Sequence, residues 1–372
     1  MAFEKIFPTD CLSKRERVAL TLRHQAVDRA AILDQVSYNP AVVAAYAGKP
    51  IDAFDYGEDE ICAVIRQTLD VCMVPVNVRR MGPVATADGF VIRYDHWHSW
   101  IESRPFKDEH GARDWLLRHT QQLRERPFNA EKCRADHLQY MTDLQHKIGE
   151  TVFMPFSQTG FMDVYHQMGL EIFAYCAADY PDVLADYLCV SVGRELKRIH
   201  AVADRALSPV TLILEECAAN QGPTFSPRDL EAHQYPHLKS LAEAWHEHGV
   251  AVLFASGGNY NAIIPELRAC GLDGCYCLEP AAGMDIVELK NAYPDMVWAC
   301  GVDGVALLEQ GTPAKVKAEV RRQIQATNAL QTGGLFVGSS SEINPPIRLD
   351  NFQAMIAAVG ELPNPRFFLN GE

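Results

Sequence analysis

The stretch 209-PVTLILEE-216 indicates the fold of this 372-residue chain most directly. A run of apolar and β-branched residues ends there in two glutamates. A second stretch, 250-VAVLFASGGN-259, has the same design, with small and polar residues after the apolar run. Strands of a parallel sheet that is covered on both faces are almost continuously apolar. Both stretches therefore predict parallel strands with polar residues at their carboxyl ends.

Comparable runs occur along the whole chain and alternate with helical patterns such as Pro227–His248 and Pro313–Thr332. This alternation is typical of a parallel sheet with crossover helices. No glycine-rich dinucleotide motif follows any run, which disfavours an open nucleotide-binding sheet. We predict an α/β fold, a single (β/α)8 TIM barrel forming one domain over residues 1–372. The eight predicted strands are Ala31–Val36, Val71–Val76, Thr151–Phe156, Pro209–Glu215, Val250–Ala255, Gly274–Leu278, Val297–Gly301 and Gly334–Gly338.

The segment 81–104 interrupts this alternation. Asp88-Gly89 within Thr86–Tyr94 predicts a β-hairpin inserted after the second strand. Two histidines, His96 and His98, follow it among tryptophans that include Trp97. These rings suit the rim of an active-site mouth better than a metal site, although the histidines could also be metal ligands.

The composition excludes several functional classes. With 34 Lys and Arg against 48 Asp and Glu, the formal net charge is −14. No basic stripe is available for nucleic acid or for an anionic membrane surface. The sequence shows neither a signal peptide nor an apolar run that could span a membrane, so we expect a cytoplasmic protein. Cys275 and Cys277 share one face of a strand, which favours core packing over zinc ligation.

The residues that follow the barrel strands are the candidates for chemistry, because they face a shared pocket. After 209-PVTLILEE-216, side-chain alternation sends only one of Glu215 and Glu216 toward the barrel axis. Such a carboxylate could hold a metal, act as a general acid or base, bind substrate, or form a structural salt bridge.

Several short motifs occur in the same order as in the uroporphyrinogen decarboxylase superfamily. In these motifs the sequence resembles that superfamily over nearly the whole chain. The opening Leu12-Ser13-Lys14-Arg15-Glu16-Arg17 and Val27-Asp28-Arg29 are similar to the family's N-terminal helix and its approach to the first strand. The resemblance implies a (β/α)8 barrel that often pairs, hence a possible homodimer. It also implies either decarboxylation of a tetrapyrrole or methyl transfer involving a corrinoid protein. The other similar motifs are Gly169-Leu170-Glu171, Tyr180-Pro181, Gln221-Gly222-Pro223, Ser226-Pro227, Tyr235-Pro236, Gly258-Asn259, Gly271-Leu272-Asp273, Leu278-Glu279-Pro280, Gly283-Met284-Asp285, Gly301-Val302-Asp303 and Leu349-Asp350-Asn351.

Two departures from the family pattern narrow the expected activity. The tetrapyrrole decarboxylases carry an arginine-rich motif after the first strand, whereas this chain has 35-QVSYNP-40 and so lacks the guanidinium groups that would grip propionates. The thiol-methylating members use a His-x-Cys and a later Cys to bind zinc. The corresponding positions here are Ala255, Gly257 and about Ser341, so that zinc site cannot form. Whether another metal is bound is left open.

The remaining class takes a methyl group from a small substrate, such as a methoxylated aromatic or a halomethane, to the cob(I)alamin of a partner corrinoid protein. The hypothesis assigns the acid at the leaving oxygen to Glu216, with Glu215 as the alternate. The alternatives are a decarboxylase-type lyase that uses Asp34 on a smaller acid, and a non-catalytic binding barrel. The residues expected to bind substrate are Tyr38, Trp97, Gln158, Asn259, Tyr260, Glu279 and Asp303.

Overall fold

A computed structural model describes residues 3–51, 53–76 and 81–368. Nine short strands form one curled sheet in which all neighbours are parallel, in the order β6-β2-β1-β14-β13-β12-β11-β8-β7. Each of the eight predicted runs contains at least one of these strands. The strands are β1 (Ala31–Asp34), β2 (Val71–Cys72), β3 (Met81–Ala85), β4 (Val91–Asp95), β5 (His98–Ser103), β6 (Val152–Phe153), β7 (Phe156–Ser157), β8 (Val210–Leu214), β9 (Ala218–Ala219), β10 (Gly222–Pro223), β11 (Ala251–Ala255), β12 (Gly274–Tyr276), β13 (Val297–Ala299) and β14 (Leu335–Val337).

The two edges of the curled sheet are consecutive in the chain. Only Met154 and Pro155 separate β6 from β7, so the predicted third strand is one run in two pieces. Met154 N–H donates to the carbonyl of Cys72 at 2.8 Å on one side, and the Pro155 carbonyl accepts from Leu212 N–H at 2.9 Å on the other. Proline has no N–H to donate, which explains the interruption. The sheet thus curls round until its edges meet, in a TIM-barrel-like arrangement.

The helices surround this sheet. The predicted helix Pro227–His248 is divided at Gln234, and Ser226 caps its first part by accepting from Asp229 N–H at 3.2 Å. Across the described part of the chain, no helix combines the length and apolarity needed to cross a membrane. The helices are α1 (Lys14–Leu22), α2 (Pro40–Tyr46), α3 (Glu58–Thr68), α4 (Glu109–Glu125), α5 (Ala130–Ile148), α6 (Phe161–Met168), α7 (Leu170–Asp179), α8 (Pro181–Val202), α9 (Pro227–His233), α10 (Tyr235–Glu247), α11 (Ile264–Ala269), α12 (Ile286–Ala292), α13 (Pro313–Ala326), α14 (Ala329–Thr332) and α15 (Leu349–Gly360).

Apolar side chains fill both sides of the curled sheet. Inside it, residues such as Leu33, Leu212, Leu253 and Phe336 form one buried cluster. A second and larger cluster lies between the strands and the helices. Burial on both faces explains why the strands are so uniformly apolar in sequence.

The segment after β2 forms a separate three-stranded antiparallel sheet, β3-β4-β5. This differs from the two-stranded hairpin predicted over Thr86–Tyr94, because residues 86–90 form the turn and the His-Trp-rich stretch supplies the third strand. Turn residue Gly89 has a φ of +86°, which suits the predicted Asp-Gly turn. The sequence did not reveal β5 because its residues are mostly exposed and lack apolar alternation.

A buried ionic network joins the N-terminal helix to the amino ends of the first two strands. Arg17 binds both oxygens of Asp28 at 2.7 Å and one oxygen of Asp70 at 2.8 Å. Arg29 binds Asp10 and Asp70, each at 2.7 Å. Burial opposes ionisation of Asp70, but the two arginines and Ile32 N–H outweigh it and lower the pKa of Asp70 to about 2. The Arg17 and Arg29 motifs quoted above therefore have a structural role.

Candidate active site

Glu216 lies just past the end of β8 and is half-buried. Its carboxylate accepts a hydrogen bond from Gly257 N–H at 2.8 Å, and its backbone carbonyl accepts one from the Tyr165 hydroxyl at 2.5 Å. Burial raises the pKa of Glu216, and the nearby carboxylates of Glu342 and Glu279 raise it further. A carboxyl group in this environment favours the protonated form and can deliver a proton.

The neighbouring Glu215 is fully buried and holds the start of α6. One of its oxygens accepts from the backbone N–H and the hydroxyl of Thr159, both at 2.6 Å, and the other accepts from Met162 N–H at 2.9 Å. Burial raises the pKa of Glu215 to about 7, although these hydrogen bonds oppose the shift. Since both oxygens are engaged by α6 and the segment before it, Glu215 is placed to position the site, and Glu216 is the more accessible of the pair.

Four carboxylates lie near enough to Cys277, at the carboxyl ends of the strands, to act on its charge; we call Asp34, Glu216, Glu279 and Glu342 the acidic cluster. Burial raises the pKa of the Cys277 thiol, and all four carboxylates raise it further. The thiol donates to a backbone carbonyl of the β14 loop at 2.8 Å, and Cys277 itself has a φ of +66°. A neutral, hydrogen-bonded thiol of this kind is a poor nucleophile.

Asp34 is the most deeply buried member of the acidic cluster. Its two oxygens accept from Gln35 N–H at 2.8 Å and Ser339 N–H at 2.9 Å. Burial nevertheless raises its pKa well above the usual range, and Glu342 adds to the shift. Asp34 and Glu216 are thus two carboxyl groups whose environments both favour the protonated form.

The glycine pair after β11 brings the backbone close to the acidic cluster. Gly257 N–H binds Glu216, and Gly258 N–H binds Glu279 at 3.1 Å. Gly258 has a φ of +73°, and a Cβ added there would lie 2.6 Å from the carbonyl carbon of Ala219. The loop therefore requires glycine at this position for both conformation and space.

We expect Gly258→Ala to destabilise the protein by about 1–3 kcal/mol because it adds strain at a positive φ and a backbone clash. The loss should be measured by urea unfolding. Gly193→Ala is the matched control: it lies in α8, where an added Cβ would meet nothing within 4 Å. This control should leave stability unchanged or raise it by about 0.5–1 kcal/mol. Equal stability of Gly258→Ala and the unmodified protein would contradict the conclusion that the loop requires glycine at this position.

Three predicted substrate-binding residues have structural contacts. Asp303 accepts from Val305 N–H at 2.9 Å and Ala306 N–H at 2.6 Å, and so caps a π-helical turn. Tyr260 is buried in the layer between strands and helices, and its hydroxyl binds the carbonyl of Tyr276 at 3.2 Å. Asn259 accepts from Asn261 N–H at 3.1 Å through its side-chain oxygen. These contacts do not favour direct substrate binding.

The remaining predicted binding residues lie in three different places. Tyr38 is close to the acidic cluster, since Glu342 contributes to the raised pKa of its hydroxyl after burial. Gln158 lines a cavity beside β7. Trp97 is 40% exposed and stacks on Phe54 with ring centroids 5.7 Å apart. The structure therefore places Glu279 near Glu216 and Tyr38 near Glu342, whereas Gln158 lines the cavity beside β7 and Trp97 packs on Phe54.

The residues at the positions where the resemblance implies zinc ligands cannot supply a zinc site. Ala255 and Gly257 offer no side-chain ligand, and zinc in proteins requires sulfur, nitrogen or carboxylate donors. Within residues 3–51, 53–76 and 81–368, no group of three or more His, Cys, Asp or Glu side chains is arranged to hold a metal ion. The residues at these positions therefore do not fit the zinc ion that the resemblance implies.

Comparisons with known proteins support the family resemblance. Residues 213–362 match the uroporphyrinogen decarboxylase (URO-D) family. This URO-D-like segment begins in β8 and contains Glu216, both glycines of the β11 loop and Glu279, and over these residues the resemblance predicted from the sequence is confirmed. A methyltransferase from Methanosarcina mazei has a similar structure, with a TM-score of 0.65 and 17% sequence identity, covering 94% of this chain and 98% of that protein. At this identity the similarity shows a common fold. No curated protein matches the sequence.

Proposed function

We propose that this protein is a methyltransferase component that moves a methyl group from a small substrate to the cob(I)alamin of a partner corrinoid protein. The substrate would be a methoxylated aromatic or a halomethane. The observation that carries the proposal is the position of Glu216, a half-buried carboxyl group with a raised pKa at the strand ends of the URO-D-like segment. The fold shared with a methyltransferase supports the same reading.

The role of Glu216 follows from the chemistry of an aryl methyl ether. The reduced cobalt of the corrinoid would supply the nucleophile that takes the methyl group. When the bond between the methyl carbon and the ether oxygen breaks, the electron pair stays on the oxygen. Glu216 gives its proton to that oxygen, so a neutral phenol leaves in place of a phenolate, and solvent then returns a proton to Glu216.

The surrounding residues keep this proton in place. Burial and the carboxylates of Glu279 and Glu342 disfavour an ionised Glu216, while Gly257 N–H fixes one of its oxygens at 2.8 Å. The Tyr165 hydroxyl holds the backbone at the same residue. Tyr38, beside the acidic cluster, is a candidate hydrogen-bonding partner for the substrate.

The test is to mix the purified protein with cob(I)alamin, free and bound to a corrinoid protein, and with a panel of methoxyarenes and halomethanes. Formation of methylcobalamin, followed by its absorption spectrum, would support the proposal and identify the donor class. An unchanged corrinoid spectrum with every donor, including with the corrinoid protein present, would overturn it.

A second candidate is a decarboxylase-type lyase that acts on a small carboxylic acid. The observation that favours it is Asp34, a fully buried carboxyl group whose pKa lies well above the usual range. Such a group could protonate the carbon that loses carbon dioxide. Release of carbon dioxide without any corrinoid, abolished in Asp34→Asn, would favour the lyase over the methyltransferase.

A further inference from the structure

A cavity of about 680 Å³ lies outside β7, between that strand and the helices α4, α5 and α8. Its volume falls within the range of about 300–1,000 Å³ that is typical of small-molecule sites. The wall carries four aromatic side chains: Phe128, Tyr140, Phe153 and Phe156. Phe156 is 45% exposed although it belongs to a strand of the sheet, and it directly follows the break at Pro155. The cavity therefore offers ring faces that a flat ligand could cover.

The charges on the cavity wall favour an anion. Three arginines, Arg126, Arg194 and Arg198, face two acidic residues, Glu195 and Asp163. Glu195 is already engaged, since both of its oxygens bind Arg198, at 2.5 and 2.7 Å. Burial raises the pKa of Asp163, so this carboxyl group ionises less readily than an exposed aspartate. The wall is thus positive overall in a chain whose formal charge is −14.

Two of the arginines retain donors for a ligand. Arg194 uses one terminal nitrogen to bind the carbonyls of Leu123 and Arg126, at 2.9 and 2.7 Å, which fixes its guanidinium at the wall. Arg126 forms no ion pair within the described residues, and its side chain is exposed. A guanidinium group donates two parallel hydrogen bonds to a carboxylate and is the side chain best suited to bind one.

We propose that this lateral cavity is a binding site for a small aromatic carboxylate of the benzoate type. The ring would lie against Phe156 and Tyr140, and the carboxylate would reach Arg126 and Arg194. This site is separate from the acidic cluster, where a carboxylate would be repelled. The proposal concerns binding alone and does not depend on methyl transfer.

The wall of the cavity includes part of the chain segment that holds Glu215 in the candidate active site. Gly160 and Asp163, at the start of α6, line the cavity, and Thr159 and Met162 in the same stretch hold Glu215. Ser157 also lines it, and its hydroxyl accepts from the indole N–H of Trp245 at 2.9 Å. A bound ring would therefore lie close to a buried tryptophan, whose fluorescence can report occupancy.

The experiment is a titration of the full chain with benzoate. Binding is measured by isothermal titration calorimetry and by the change in tryptophan fluorescence. We expect one benzoate per chain and weaker binding of benzyl alcohol and of acetate, since each lacks one of the two recognised groups. Phe156→Ala and Arg126→Ala should each weaken benzoate binding by about five-fold, through loss of a ring contact and of a charged donor. The matched controls are Phe368→Ala, also 45% exposed, and Arg228→Ala on α9, which should leave binding unchanged.

Three results would overturn the proposal. One is the absence of heat and of any fluorescence change at millimolar benzoate. Another is equal binding of benzyl alcohol, which would remove the role of the arginines. The third is benzoate binding that is insensitive to both Phe156→Ala and Arg126→Ala, which would place the ligand elsewhere. None of these results bears on Glu216, so they are distinguishable from failure of the methyltransferase proposal.

Discussion

Asp70→Asn should lower the free energy of unfolding by about 3–5 kcal/mol, because it leaves two buried guanidinium groups without part of their compensating charge. Asp70 is fully buried and accepts from Arg17, from Arg29 and from Ile32 N–H. An asparagine in its place carries no charge and presents an N–H₂ group toward one of these donors. Urea unfolding of the variant and of the unmodified protein measures the difference.

Asp136→Asn is the matched control for this stability prediction. Asp136 pairs with Lys132 at 2.8 Å, but both side chains are largely exposed. An exposed ion pair contributes at most a fraction of 1 kcal/mol on average. A loss for Asp70→Asn no larger than that of the control would show that the buried network is dispensable.

The same aspartate predicts a component of acid sensitivity. Its folded pKa, about 2, lies below its ordinary value of 3.8. A lowered carboxylate pKa stabilises the folded state fully above the unfolded value, and this stabilisation is lost as the pH falls from near 4 through 2. Asp70→Asn should therefore show a smaller loss of stability over this pH range than the unmodified protein, which unfolding curves at several pH values can measure.

Glu216→Gln should slow methyl transfer from a methoxyarene by about 10²–10⁴-fold, the usual contribution of a general acid. The amide keeps an oxygen that can accept from Gly257 N–H but has no acidic proton for the leaving oxygen. A halide leaves without protonation, so transfer from a halomethane should be nearly unchanged in the same variant. The ratio of the two rates, followed as methylcobalamin formation, separates an acid role from a merely structural one.

Two further variants control this measurement. Glu288→Gln, on an exposed position of α12, should leave both rates unchanged. Glu215→Gln should reduce stability, because its amide nitrogen would face the N–H groups of Thr159 or Met162. A methoxyarene rate that is equal in Glu216→Gln and in Glu288→Gln would remove Glu216 from the mechanism.

In the unmodified protein, the rate of methyl transfer from a methoxyarene should fall as the pH rises through the raised pKa of Glu216, because the carboxyl group then loses its proton.

The strands were predictable from sequence because burial on both faces demands long apolar runs, and 209-PVTLILEE-216 is such a run. Their ends were less predictable: Val71–Val76 contains a strand of only two residues, Val71–Cys72. Pro155 stands within the predicted strand Thr151–Phe156, which we predicted to be continuous. Only the pairing of the flanking pieces with different neighbours shows that the sheet divides there.

The candidate site was predicted only in part. Glu216 directly follows an apolar strand and Glu342 follows the last one, so both are among the residues after the strands, but only the fold shows that they lie near each other. Tyr260 could not be assigned a direction, because alternation fails after Gly257 and Gly258. Asp70 has no neighbouring motif, and its importance depends on arginines more than forty positions away in the sequence.

The break at Met154 and Pro155 also affects how the sheet opens. Every other strand of the sheet pairs with two neighbours, whereas β6 pairs only with β2, and β7 pairs only with β8. Local fluctuations begin where backbone pairing is sparse. Deuterium uptake at backbone amides of these two strands should therefore be faster than in β11, which has five pairs with β8 and three with β12. The sheet therefore has its weakest backbone pairing between β6 and β7. The lateral cavity lies directly beside this place, since Phe153, Pro155 and Phe156 line it.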